Sequence, residues 1–103
     1  MKNLDKIKTY KEIKYITKVG KKIILYGAIV YKGRVIEDKA KIGILISRKF
    51  GNAVKRNKAK RRILSALNCV NYINCREVVF IPKKNLLLMN FEDLKLEIES
   101  LFI

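Results

Sequence analysis

The stretch Lys41-Ile42-Gly43-Ile44-Leu45-Ile46-Ser47-Arg48-Lys49-Phe50-Gly51-Asn52-Ala53-Val54-Lys55-Arg56-Asn57-Lys58-Ala59-Lys60-Arg61-Arg62-Ile63-Leu64-Ser65-Ala66-Leu67 changes its period in the middle. Up to Ser47 the branched residues Ile42, Ile44 and Ile46 alternate with Lys41, Gly43 and Leu45. That is the period of a strand, and small Gly43 leaves room on its second face. Gly51-Asn52 breaks the pattern. Asn52 can accept from the free N–H groups of a helix, which the spacing predicts as far as about Leu67.

The helix is unusual on its inner side. At about 100° per residue, Ala59, Ile63, Ala66 and Leu67 share a face, and Arg56 and Lys60 fall on that same arc one heptad earlier. Burying an uncompensated cation is expensive, so the front half of the helix is expected to project beyond the core. Between Asp38 and Glu77 the chain has no acidic residue, while Arg48, Lys49, Lys55, Arg56, Lys58, Lys60, Arg61 and Arg62 crowd together. Solubility accounts for scattered lysines on a solvated face, but a half-helix that is basic all round points to a polyanion. The guanidinium forks of Arg56 and Arg61 can grip a phosphate with paired bonds, lysine acts as a point charge, and Asn52 and Asn57 add neutral donors. The N–H groups at Gly51-Asn52 would favour an anion, with ordinary capping an equal reading of Asn52.

Outward from this centre, Thr9 and Glu12 have the form of a capping box, and Tyr10, Ile13 and Ile16 share a stripe up to about Thr17. Lys22 to Tyr31 reads as strand, with a turn signal at Lys32-Gly33 followed by Val35 and Ile36, which suggests a hairpin. Glu77 to Ile81 predicts another strand, stopped at Pro82 and followed by a Lys83-Lys84-Asn85 loop. Asn90 opens a last helix with Glu92 and Asp93 in its first turn and Phe91, Leu94, Ile98, Leu101 and Phe102 at core spacing. The expected fold is α+β: a single-domain sandwich over residues 1–103 of a four-stranded sheet and three helices, in the order α-β-β-β-α-β-α.

Composition narrows the function. With 103 residues, half of them apolar, the chain can bury one core. Its 24 basic and 9 acidic residues leave a net charge of +15, and phosphates at regular spacing are the partner such a surface fits best. No apolar run approaches the roughly 20 residues that cross a bilayer, and no signal-peptide segment follows Met1, so a cytoplasmic protein without a membrane partner is expected. Cys69 and Cys75 lack CxxC spacing and the chain has no histidine, which disfavours a zinc site and the histidine-activated nucleophiles. No catalytic side chain, bound metal or small-molecule substrate is expected. Tyr10, Tyr15, Tyr26 and Tyr31 are interleaved with cations; such rings can stack on unpaired bases, although core packing is the commoner role.

The run from Ser47 to Arg61, with its Gly-Asn-Ala-Val step into Lys55-Arg56-Asn57-Lys58-Ala59-Lys60-Arg61, resembles the signature of the bacterial ribonuclease P protein family. Similarity extends to Tyr10 and Ile13, Leu25-Tyr26, Val78 to Ile81, and Phe91-Glu92-Asp93-Leu94. The resemblance implies a left-handed β-α-β crossover around the central helix, against the general handedness rule. It also implies a ribonucleoprotein endonuclease acting in tRNA processing. The basic helix would dock on the catalytic RNA through Lys55, Arg56, Asn57, Lys58, Lys60 and Arg61. A cleft formed with the sheet and first helix would hold the 5′ leader of precursor tRNA, lined or flanked by Tyr10, Tyr26 and Arg48, with Lys83 contributing and Tyr15 nearby. Cleavage would belong to Mg2+ held by the RNA. The chain departs from the pattern at Lys58, at Leu64, at Leu45, and at Lys14, where a second aromatic is usual.

A ribosomal or RNA-chaperone protein would share the basic helix but would show no preference for a leader. A protein-only nuclease would need carboxylates clustered around two metals about 4 Å apart. Asp5, Glu12, Glu37, Asp38 and Glu77 form no obvious motif of that kind.

Overall fold

The computed structural model describes residues 4–36, 39–70 and 74–103. Among them the chain forms β1 (Leu4–Lys6), α1 (Tyr10–Val19), β2 (Lys21–Ile24), β3 (Ala28–Val35), β4 (Ala40–Ile44), α2 (Ala53–Cys69), β5 (Arg76–Pro82) and α3 (Phe91–Glu99), with short 3-10 turns after β4, β5 and α3. The sheet runs β1-β4-β5-β3-β2, five strands rather than the expected four. β4 and β5 are parallel neighbours joined through α2, and β3 pairs antiparallel with both β5 and β2.

The additional strand is β1, which pairs parallel with β4 through Leu4↔Ala40 and Lys6↔Ile42. Ile7 extends it by donating its N–H to the Ile42 carbonyl at 3.0 Å. Its three residues are too few to show an alternation, so its place is set by the burial of Leu4 and Ile7.

All three helices begin where a side-chain cap is legible. Thr9 Oγ1 accepts from Glu12 N–H, Asn52 Oδ1 from Lys55 N–H, and Asn90 Oδ1 from Asp93 N–H. α2 and α3 cover one face of the sheet, where Ala59, Ile63, Ala66 and Leu67 meet Ile42, Val78, Phe80, Leu94, Ile98 and Phe102 in the main core. Each such fully buried Ile, Leu or Phe contributes about 1.5–3 kcal/mol. α1 lies on the opposite face, where Ile16 and Ile7 pack with Val79, flanked by Ile13, Tyr31 and Leu45. The room left at Gly43 is filled by α1 and the end of β1: a Cβ there would sit 3.0 Å from Ile13 Cγ1 and 3.2 Å from Ile7 Cδ1.

The hairpin turn is not at Lys32-Gly33. Those residues lie inside β3, and the chain reverses at Leu25-Tyr26-Gly27. Gly33 marks a close approach: a Cβ at that position would be 2.9 Å from Glu77 Cβ, where the β3–β5 register shifts between Lys32 and Val35. The true turn is held from afar. The Glu97 carboxylate accepts from Tyr26 N–H at 2.8 Å and Gly27 N–H at 3.1 Å, while Lys83 Nζ donates to the Leu25 carbonyl at 2.8 Å.

Candidate nucleic-acid interface

The 3-10 turn Arg48–Phe50 buries Phe50 and leaves Arg48 and Lys49 exposed. Gly51 then takes φ +156° and ψ −170°, backbone that side chains disfavour, and swings the chain into α2. Asn52 spends its side-chain oxygen as the cap of Lys55, so the capping reading of that residue holds.

Along α2, Lys55, Asn57, Lys58, Lys60 and Arg61 are exposed, and the first core residue of the helix is Ala59. The front half is therefore mostly exposed, with Arg56 of its inner arc the cation that is partly covered. Arg56 and Arg62 are half-buried, and the Nε of each is shielded from solvent without a hydrogen-bond partner. Arg62 also donates from Nη2 to the Met89 carbonyl. No cation of α2 is in an ion pair among the described residues; the pair found there joins Arg34 to Glu77 at 3.3 Å. A carboxylate-free run of cations keeps its whole field directed outward.

Two hollows flank this helix. One of about 440 Å³ lies beside Val54, Asn57, Lys60, Arg61 and Leu64. The other, about 470 Å³, lies between Lys58, Arg61, Arg62 and Ser65 of α2 and Asn90 and Phe91 at the start of α3. Core spacing places Phe91 inside the protein, but the residue is 37% exposed and lines this hollow. Ser65, Asn90 and Phe91 are the members of this surface that sequence reasoning misses. The i, i+3, i+4, i+7 spacing of Lys58, Arg61, Arg62 and Ser65 is the signal that exposes one wall of it.

A groove of about 490 Å³ runs beside α2 at the β1 edge of the sheet, lined by Ile7 and Ile13, by Gly43 and Ile44 of β4, and by Lys60 and Leu64 of α2. It has the expected makeup of sheet, first helix and central helix, but its lining is mostly apolar, with Lys6, Lys60 and the acidic Asp5 as its charged members. Tyr10, Tyr26, Arg48 and Lys83 are not in that lining. Tyr10 and Tyr26 are 65% and 58% exposed, with Lys14 Nζ 5.9 Å from the Tyr10 ring centroid. Tyr15, 64% exposed, borders a different hollow with Val19, Arg34 and Glu77. Lys83 is committed to the Leu25 carbonyl, so it supports the loop that carries Tyr26.

At the far end of the sheet Lys32 stands opposite Lys21 in the β2–β3 register. Burial pushes its pKa below the ordinary lysine value, and the charges of Arg76 and Lys21 push it the same way. Of the acids a metal-dependent nuclease would need, Glu77 is paired with Arg34, Asp5 accepts from Lys6 N–H, and Glu37 and Asp38 lie outside the described residues. Among the described residues no three His, Cys, Asp or Glu side chains converge, and no helix is long and apolar enough to cross a membrane.

Comparison with known proteins agrees with the α+β fold. The family model described as Ribonuclease P matches residues 1–103. The chain is 32% identical over 103 residues to the ribonuclease P protein component of Mycoplasmopsis pulmonis, covering 98% of this chain and 91% of that protein. It is 28% identical over 96 residues to the ribonuclease P protein component of Streptococcus pyogenes, covering 92% and 81%. Among solved structures, a mutant of the Staphylococcus aureus RNase P protein matches with a TM-score of 0.78 at 28% identity, covering 93% of this chain and 83% of its own.

Proposed function

The chain belongs to the ribonuclease P protein family, and from that premise we propose that it docks on the catalytic RNA of ribonuclease P and helps that RNA remove the 5′ leader of precursor tRNA. The observation that carries this reading is α2: a helix whose exposed front half is cationic, unpaired with any described carboxylate, and bordered by a groove of about 490 Å³.

Arg56 and Arg61 would bind phosphates of the catalytic RNA with paired donors, and Lys55, Lys58 and Lys60 would add point charges around them. The groove between α1, β4 and α2 takes the single-stranded leader: Lys60 and Lys6 at its rim track phosphates, and the apolar floor accepts base faces. Tyr10, Tyr26 and Arg48 lie outside the groove's lining, and their exposed side chains offer further contacts to RNA away from the groove. The hydrolytic step belongs to Mg2+ bound by the RNA. The protein's part is positional and electrostatic: its fixed cations sit where two polyanions meet and replace part of the screening that free divalent ions would otherwise supply.

The test is affinity of the assembled complex for precursor tRNA against mature tRNA, with and without the protein. The expected result is that the protein tightens binding of the leader-bearing substrate and leaves mature tRNA nearly unchanged. Equal tightening of both would assign the chain to general RNA binding, as a ribosomal or chaperone protein would show.

A further inference from the structure

The hollow between α2 and the start of α3 is built differently from a solvated basic face. Lys58, Arg61, Arg62 and Ser65 form one stripe of α2, and the stripe faces Phe91 across a space of about 470 Å³. Arg62 is the key residue. Its Nη2 donates to the Met89 carbonyl, which fixes the guanidinium at the wall of the hollow, and its Nε is shielded from solvent with no partner. Its single acceptor among the described residues is neutral, and no described carboxylate pairs with it. Lys58 and Arg61 on the same stripe add like charge to it. Glu92 and Asp93 in the first turn of α3 are exposed and do not line the space. A half-buried cation set among cations is unfavourable in the free protein, and an anion placed between them offsets that cost. The opposite wall is aromatic: Phe91 presents part of its ring to the space rather than to the core.

We propose that this hollow is a nucleotide site for the partner RNA, taking one phosphodiester between Lys58, Arg61 and Arg62 and an unstacked base against Phe91. The Ser65 hydroxyl donates to a phosphate oxygen. The inference rests on the RNA-binding reading above and deepens it: Lys58 and Arg61 are shared with that reading, and Arg62, Ser65 and Phe91 extend it to the α3 side of α2. The volume fits a nucleotide and the cations lie to one side of the ring, so phosphate and base are addressed by separate walls.

The experiment is binding of a bacterial ribonuclease P RNA by the full chain across a salt series, comparing wild type with Ser65→Glu, Phe91→Leu and Leu96→Glu. Ser65 is exposed, so Ser65→Glu places a carboxylate in the site without disturbing the core. Leu96 is exposed on α3 outside the site and carries the same charge change as a control. Thermal unfolding of each variant checks folding. The expected result is about tenfold weaker binding for Ser65→Glu and for Phe91→Leu. The logarithmic salt slope of Ser65→Glu should also be shallower by roughly 0.7–0.9. Leu96→Glu should stay within about twofold of wild type. If wild type binds but Ser65→Glu and Phe91→Leu behave like Leu96→Glu, the nucleotide site is overturned and the RNA-binding reading stands. If wild type itself shows no salt-dependent binding, the RNA-binding reading fails as well.

Discussion

Lys32 shows how this protein tolerates charge that its fold would be more stable without. It faces Lys21 across β2–β3, and burial first, then Arg76 and Lys21, hold its pKa below the ordinary lysine value. The lowered value means the charged form is disfavoured in the fold. The penalty is therefore complete at neutral pH and is relieved only as pH climbs from the folded value toward the ordinary one. Lys32→Thr should raise stability at neutral pH by roughly 0.2–1 kcal/mol. Urea midpoints at neutral and alkaline pH check this; an advantage that does not shrink at alkaline pH contradicts the electrostatic cause. Arg56 is also a half-buried cation, its Nε shielded without a partner, and the proposed function gives it a phosphate of the RNA. Arg56→Ala should weaken assembly with ribonuclease P RNA and flatten the logarithmic salt slope by roughly 0.7–0.9, one phosphate contact, as read by filter binding. The α2 cations are legible in sequence because helical angle and charge place them without any tertiary knowledge. Phe91 and Ser65 are not, because their exposure depends on where α3 starts relative to α2.

Helix caps and central strands are also legible, since an acceptor side chain before a periodic run has a local meaning, as at Thr9, Asn52 and Asn90. The hairpin turn is not, because its stabilisation is remote: Glu97 caps Tyr26 from 71 positions away. The glycine that imitates a turn, Gly33, answers to Glu77 across the sheet. β1 escapes for a third reason, being short and defined only by its parallel neighbour. The α1 layer is keyed to the sheet at Gly43, where Ile13 and Ile7 occupy the space of a missing side chain. Gly43→Val should destabilise the protein by about 1–3 kcal/mol, because both isoleucines must move. Adding Ile13→Ala to that variant should recover part of the loss; chemical denaturation of the single and double variants would show it, and simple additivity would mean that the two positions do not share space.

For the molecule as a whole, the fold divides its labour between faces. One face of the sheet, with α2 and α3, makes the main core, and α2 overshoots that core to present its cations. The opposite face carries α1, and the groove at the β1 edge is lined from both sides. With a net charge of +15, the protein brings into a ribonucleoprotein the positive potential that its RNA lacks. The consequence lies in ion requirement: fixed cations should substitute for part of the divalent screening needed to bring precursor tRNA against the catalytic RNA. The decisive measurement is cleavage of precursor tRNA by a bacterial ribonuclease P RNA at low Mg2+, with and without this protein. Cleavage that is nearly absent with RNA alone, restored by the protein and stronger for substrates with a leader is the predicted result. RNA that binds the protein tightly yet cleaves no better at any Mg2+ concentration would contradict the account.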